Sequence, residues 1–174
     1  MGRFATTPVD EVTVQDIAGA VDMTPAAVYY HFGSKEQILI EGMQLFSAEL
    51  LDEIRGLDPS VGIGAMVQQV VAWTTRRRVP ATVYFVSSIG LNLMVEALRR
   101  EARAEMVEIL RVRVREVRPR IGKAEAGVIA VALVSLIETS LASMLNQDAS
   151  YRGLGSRRFG IEVGAIADRI AGSA

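Results

Sequence analysis

Apolar residues along this chain recur at spacings of three and four, and polar–apolar alternation never persists for the length of a strand. That pattern predicts an all-helical protein. The first clear helix opens at Thr13, which can cap it with Asp16 three residues on, and its apolar positions Val14, Ile17, Ala18 and Val21 share one face. Asp22-Met23 breaks it early. Thr24 then caps a second short helix with Pro25 at its first position, where a missing N–H costs nothing. This helix runs through Tyr29, Tyr30 and His31 to Phe32, and Gly33 ends it. Ser34 caps a third helix, with Gln37 completing a capping box, and Leu39, Met43, Phe46 and Leu50 give it an apolar stripe out to about Leu57.

Asp58-Pro59-Ser60 marks a boundary that divides residues 1–57 from 58–174. Beyond it a helix is expected from about Val61 to Arg78, with Ile63, Met66, Val67, Val70, Trp73 and Thr74 inward. Pro80 resets the chain, and a helix through Val83, Tyr84, Phe85 and Ile89 reaches about Leu91. A long helix follows from about Leu93 to Val117 and stops before Pro119. Another spans Lys123 to Leu145. A polar loop containing Asn146, Asp148, Gly153 and Gly155 leads to a last helix over Ser156 to Ala171, striped by Phe159, Val163, Ile166 and Ile170.

Composition narrows the class. Hydrophobic residues make up 50% of the 174, enough to bury a core without staples, and there is no Cys, so disulfides, thiolate metal sites and Cys nucleophiles are excluded. A reducing cytoplasm fits this usage. Ala124 to Leu145 is apolar enough to raise the question of a membrane span. Glu125 and Glu138 interrupt it, and Ser135, Thr139, Ser140 and Ser143 dilute it, so a buried helix is expected and no membrane partner. No nucleophile elbow, phosphate loop, metal-ligand cluster or His–acid pair is present at useful spacing. No enzyme, metal or cofactor is therefore expected.

Two short helices joined by a tight turn, the second opening on Thr-Pro, match a helix-turn-helix. Ala18 supplies the small residue where such helices cross, and Asp22 tolerates the left-handed backbone that the turn demands. The second helix would lie in the major groove with its N-terminal turn toward the base edges. Thr24, Pro25, Ala26 and Ala27 are short there, so backbone and DNA can approach closely, and their apolar groups can meet a thymine methyl. Tyr29 and His31 offer donors to phosphates, and Lys35 adds a cation at the start of the next helix. Tyr30 and Phe32 are expected to pack inward. Charge argues the other way. Up to Leu57 only Arg3, Lys35 and Arg55 stand against Asp10, Glu11, Asp16, Asp22, Glu36, Glu41, Glu49, Asp52 and Glu53, a balance of −6, whereas duplex binding draws on positive charge.

Thr13-Val14-Gln15-Asp16-Ile17-Ala18, followed by Thr24-Pro25-Ala26-Ala27-Val28-Tyr29-Tyr30-His31-Phe32-Gly33-Ser34-Lys35-Glu36, resembles the DNA-binding signature of the TetR family. The resemblance is dense over residues 13–36; the rest resembles the family in helix number, length and order. It implies an all-α fold with an N-terminal helix-turn-helix domain and a C-terminal ligand-binding and dimerisation bundle. It also implies a homodimer on a near-palindromic double-stranded operator, usually a repressor released by a small-molecule effector. Thr13, Thr24, Pro25, Ala26, Ala27, Tyr29, His31 and Lys35 are then the DNA-binding candidates. The family carries a full first helix with basic residues ahead of it; here Arg3-Phe4-Ala5 resembles only its tail, so the first helix is expected to be truncated.

In the second region Met66, Val70, Trp73, Tyr84, Phe85 and Met94 are expected to be core, with part of the set lining an apolar sensor pocket. Glu138 is expected to be partly buried, either paired across the bundle or the dimer, or orienting a ligand in the pocket. The Arg76-Arg77-Arg78 run and the arginines from Arg111 to Arg120 are read as solvated helix ends. The resemblance implies that the last two long helices form a four-helix dimer bundle, with Leu141, Leu145, Phe159, Gly160, Val163 and Gly164 at the interface. Packing within one chain is the alternative for the two glycines. The acidic N-terminal region and the missing helix leave a second function open: a helical dimer that binds no DNA and sequesters an apolar ligand or a partner protein.

Overall fold

The computed structural model describes residues 1–58 and 60–172, so Pro59 of the expected boundary, and the last two residues of the C-terminal region, lie outside it. Among the described residues a 3₁₀ turn, Arg3–Ala5, precedes eight helices: α1 Val14–Gly19, α2 Pro25–Phe32, α3 Lys35–Gly56, α4 Ile63–Arg76, α5 Arg78–Thr82, α6 Leu93–Val117, α7 Lys123–Leu145 and α8 Ala149–Ala171. No strand occurs among the described residues. The caps follow the sequence. Thr13 and Asp16 form a reciprocal capping box on α1, and the Thr24 hydroxyl accepts the Ala27 N–H at 3.2 Å. Ser34 accepts the Gln37 N–H at 3.1 Å, but the Gln37 side chain turns forward to Glu41, so that box is only half made.

The core is one continuous body running from Phe4 and Val9 through α3 and α4 to α8, and the two-turn unit of α1 and α2 adds a small satellite of Val14, Ala18 and Val28. Phe4 is fully buried, so the 3₁₀ turn is anchored in the main core. The largest helix contact is between α4 and α8, which cross through glycine. A Cβ on Gly64 would stand 2.5 Å from the Gly164 carbonyl oxygen, and one on Gly164 would stand 2.7 Å from that of Gly64. Only bare backbone permits that approach. Asp168 of α8 then accepts the Gly64 N–H at 2.7 Å, supplying the cap that Gly62 cannot. α7 is long and apolar enough to cross a membrane by length and composition, yet it packs between α6 and α8 and buries Leu133, Val134, Ile137, Leu141 and Met144.

Three expectations about the elements are corrected. The segment after Pro80 is not an ordinary helix: α5 ends at Thr82 and Val83–Ser87 winds as a π turn, its ring closed by Ser88 N–H to Val83 C=O at 3.0 Å. The Tyr84 carbonyl, which an α-helix would give to Ser88 N–H, accepts the Ser88 hydroxyl and the Arg99 guanidinium instead. The polar stretch before the last helix is itself helical from Ala149, and Gly155 at φ 73° breaks it in two. The arginine runs are not simply solvated. Arg77 pairs with Glu49 at 2.8 Å and stacks over Trp73, and Arg78 reaches the Leu145 carbonyl. Arg113 reaches the Leu57 carbonyl and Arg118 that of Ala171. Each of these last three arginines thus holds the C-terminal end of another helix, where cations are favoured by the exposed carbonyls.

Candidate functional site

α1 and α2 meet through Val14, Ala18 and Val28, with Ile17, Met23 and Ile38 packed around them. Asp22 bridges the two helices at φ 52°, the left-handed conformation expected of it, while Met23 N–H reaches back to the Ala18 carbonyl at 3.0 Å. The arrangement exposes one side of α2. Thr24, Pro25 and Ala26 are open to solvent and Ala27 is half-buried, so the first turn of α2 presents backbone and methyl groups with no long side chain in front. The Thr24 oxygen is occupied by the Ala27 N–H, which leaves its hydroxyl proton directed to whatever approaches.

Tyr29 and His31 stand exposed along the same helix. Tyr30 was expected to pack and does not: it is 87% exposed, and Phe32 is exposed as well. α2 has eight residues and buries only Val28, so a residue two positions on faces away from the single packed side. That spacing was readable in the sequence, and Tyr30 joins the exposed donors of α2.

Two of the candidates are committed elsewhere. The Thr13 hydroxyl accepts the Asp16 N–H and donates to the Asp16 carboxylate at 2.6 Å, so both of its functions serve the cap. The Thr13 hydroxyl and N–H hold the Asp16 carboxyl below the usual carboxylate range. Lys35 does not point its ammonium outward. Nζ donates to the carbonyls of Val9, Asp10 and Val12 at 3.0, 3.0 and 2.8 Å.

In the second region Trp73, Tyr84 and Phe85 surround Phe46 of α3, with ring centroids 5.3–5.9 Å from it. Met66 and Val70 are buried in the same core, and burial pushes the Tyr84 hydroxyl up. Met94 does not belong with them: at 64% exposed it lines an open groove of about 550 Å³ between α3 and α6, because it sits on the outer side of the first turn of α6. Glu138 is half-buried and forms an ion pair with Arg103, which also donates to Ser135 at 2.9 Å. A second groove, about 610 Å³, runs between α4 and α8 past Val71, Ala72, Gly160 and Ile161.

The six residues expected at a dimer interface all make contacts within the chain. Leu141, Leu145, Phe159 and Val163 are buried in its core, Gly160 faces Val71, and Gly164 lies against Gly64. Helix periodicity marked one apolar face on each helix, and that face turns inward to α4 and α6. The outward face of α7 is different. Ala124, Val128, Val131, Ala132, Ser135, Thr139 and Ala142 follow one another along it, Val128 is 70% exposed, and the Arg103–Glu138 pair borders the stripe at Ser135.

Residues 3–41 match the model of the bacterial regulatory proteins of the tetR family. The whole fold is similar to that of a TetR-family transcriptional regulator from Bordetella parapertussis 12822, with a TM-score of 0.71 at 18% identity over 94% of this chain and 87% of that one. It is similar to the fatty acid degradation regulator FadR from Bacillus halodurans, with a TM-score of 0.73 at 14% identity over 98% and 93%. The TetR family regulator PfmR from Thermus thermophilus aligns with a TM-score of 0.59 at 23% identity over 94% and 89%. A search of curated proteins finds no match. Packed helix-turn-helix, exposed α2 and helical bundle agree with these likenesses: residues 3–41 are similar to the N-terminal module of the tetR family, and the whole chain shares the fold of solved TetR-family transcriptional regulators.

Proposed function

We propose that the protein is a cytoplasmic, homodimeric transcription regulator that binds a short inverted repeat in duplex DNA through α2 and is released from it by a small apolar or amphipathic effector. Residues 1–57 form the DNA-binding domain and 58–174 the sensing and dimerising domain. The observation that carries the reading is the open first turn of α2, where Thr24, Pro25 and Ala26 offer a hydroxyl and short apolar groups to base edges. Tyr29, Tyr30 and His31 supply donors to the flanking phosphates. The exposed small and apolar residues of the outer stripe of α7 support the dimer, since charge is depleted at the centre of such interfaces. Trp73, Tyr84, Phe85, Met66 and Val70 are closed around Phe46, so an effector would be received there only by parting these side chains.

Selection from a random duplex pool at low salt, followed by gel retardation, tests this. An enriched inverted repeat whose retardation is lost with Tyr29→Ala and Tyr30→Ala together is the expected outcome. A pool with no enriched sequence sinks the reading.

The acidic charge of the first 57 residues, together with the inward-turned Lys35, favours one other reading, a helical dimer that sequesters an apolar ligand without binding DNA. It calls for a rise in melting temperature with a medium-chain fatty acid and no retarded duplex at any salt concentration.

A further inference from the structure

Lys35 opens α3, the worst place on a helix for a cation, because the unpaired N–H groups of the first turn carry positive charge. What offsets the cost is on the facing loop. The carbonyls of Val9, Asp10 and Val12 converge on the single Nζ atom at 3.0, 3.0 and 2.8 Å. An ammonium has three protons, and these three acceptors use all of them. A phosphate could bind Nζ only by displacing a carbonyl from it. The loop so held is short and otherwise tied by two N–H groups, those of Glu11 and Val12, to the Pro8 carbonyl. It ends at Thr13, the cap of α1.

We propose that Lys35 is a positioning residue of the DNA reader rather than a phosphate contact: it clasps the loop from Val9 to Val12 onto the start of α3 and thereby fixes where α1 begins relative to α2. The inference rests on the DNA-binding reading above, and two independent arms test it. The first needs no DNA. In Lys35→Met the amides of Glu11 and Val12 exchange with solvent at least about tenfold faster than in the natural protein, as expected when charge-assisted bonds to the loop are lost. The second compares operator affinity over a range of salt. Lys35→Met lowers affinity about tenfold at each concentration and leaves the slope of log affinity against log salt unchanged, whereas removal of a phosphate contact flattens that slope by about 0.9.

Lys35→Arg separates the roles again and keeps the charge if Lys35→Met loosens the whole module. A flat guanidinium reaches a phosphate well but cannot place one nitrogen at the meeting point of three carbonyls, so Lys35→Arg retains the weakened affinity. Unchanged exchange of Glu11 and Val12 in Lys35→Met, a slope flattened by about 0.9, or full rescue by Lys35→Arg each overturns the proposal. If the natural protein binds no duplex, the DNA-binding reading fails by itself, and the exchange arm alone decides whether Lys35 clasps the loop.

Discussion

Asp168 and Gly64 lie 104 residues apart in sequence, and the carboxylate of the first accepts the N–H of the second at 2.7 Å. A helix whose own N-cap position is glycine has its first turn completed by a side chain from the helix that crosses it. Asp168→Ala therefore leaves a part-buried N–H without an acceptor and is expected to cost about 1 kcal/mol in urea denaturation. Asp168→Asn keeps an oxygen at the same place and costs less. Equal losses in the two variants would argue against a capping role.

The same crossing makes opposite predictions for two glycines in helices. Gly164→Ala drives a methyl to 2.7 Å from the Gly64 carbonyl and is expected to destabilise the protein by roughly 1–3 kcal/mol. Gly127→Ala on α7 meets nothing within 4 Å and is expected to stabilise it, by about 0.5–1 kcal/mol, through helix propensity. Thermal melts of the two variants should move in opposite directions from the parent.

The outer stripe of α7 predicts the assembly state. Val128 and Val131 are both exposed, so Val128→Glu with Val131→Glu disturbs no internal packing. Sedimentation should show a dimer for the parent and a monomer of near-parent helicity for the double variant. A dimer that survives both charges would place the interface elsewhere.

The start of α1 depends on pH in a definite sense. Asp16 has its folded pKa depressed by bonds from the Thr13 hydroxyl and N–H. Its contribution is present above the unfolded carboxylate range and disappears as pH falls through the lower folded value. The Thr13 amide, which donates to this carboxylate, should therefore lose exchange protection below about pH 4, while amides deep in α7 keep theirs. Uniform loss along the chain would mean global acid unfolding instead.

Much of this was legible in advance because helix ends are written locally. Thr13, Thr24 with Pro25, and Ser34 each identify a helix start by side chains within three residues of it, and Asp22 identifies the turn. What the sequence hides depends on partners distant along the chain. The three carbonyls on Lys35 come from residues 23 to 26 positions away, and the Arg113–Leu57 bond spans 56. Periodicity likewise marks which face of α7 or α8 is apolar, but not whether that face meets the same chain or another. The π turn escaped for a related reason. Its extra residue is stabilised by Arg99 on α6, 15 residues from Tyr84, and the Val-Tyr-Phe-Val-Ser segment reads as ordinary helix.

Trp73 is the one tryptophan of the chain, and its ring lies 5.6 Å from Phe46 on α3 and beneath the Arg77 guanidinium that pairs with Glu49, also on α3. An indole between an aromatic face and a cation changes its emission when either neighbour shifts. The protein thus contains a native optical gauge of α3, readable without a label in any titration.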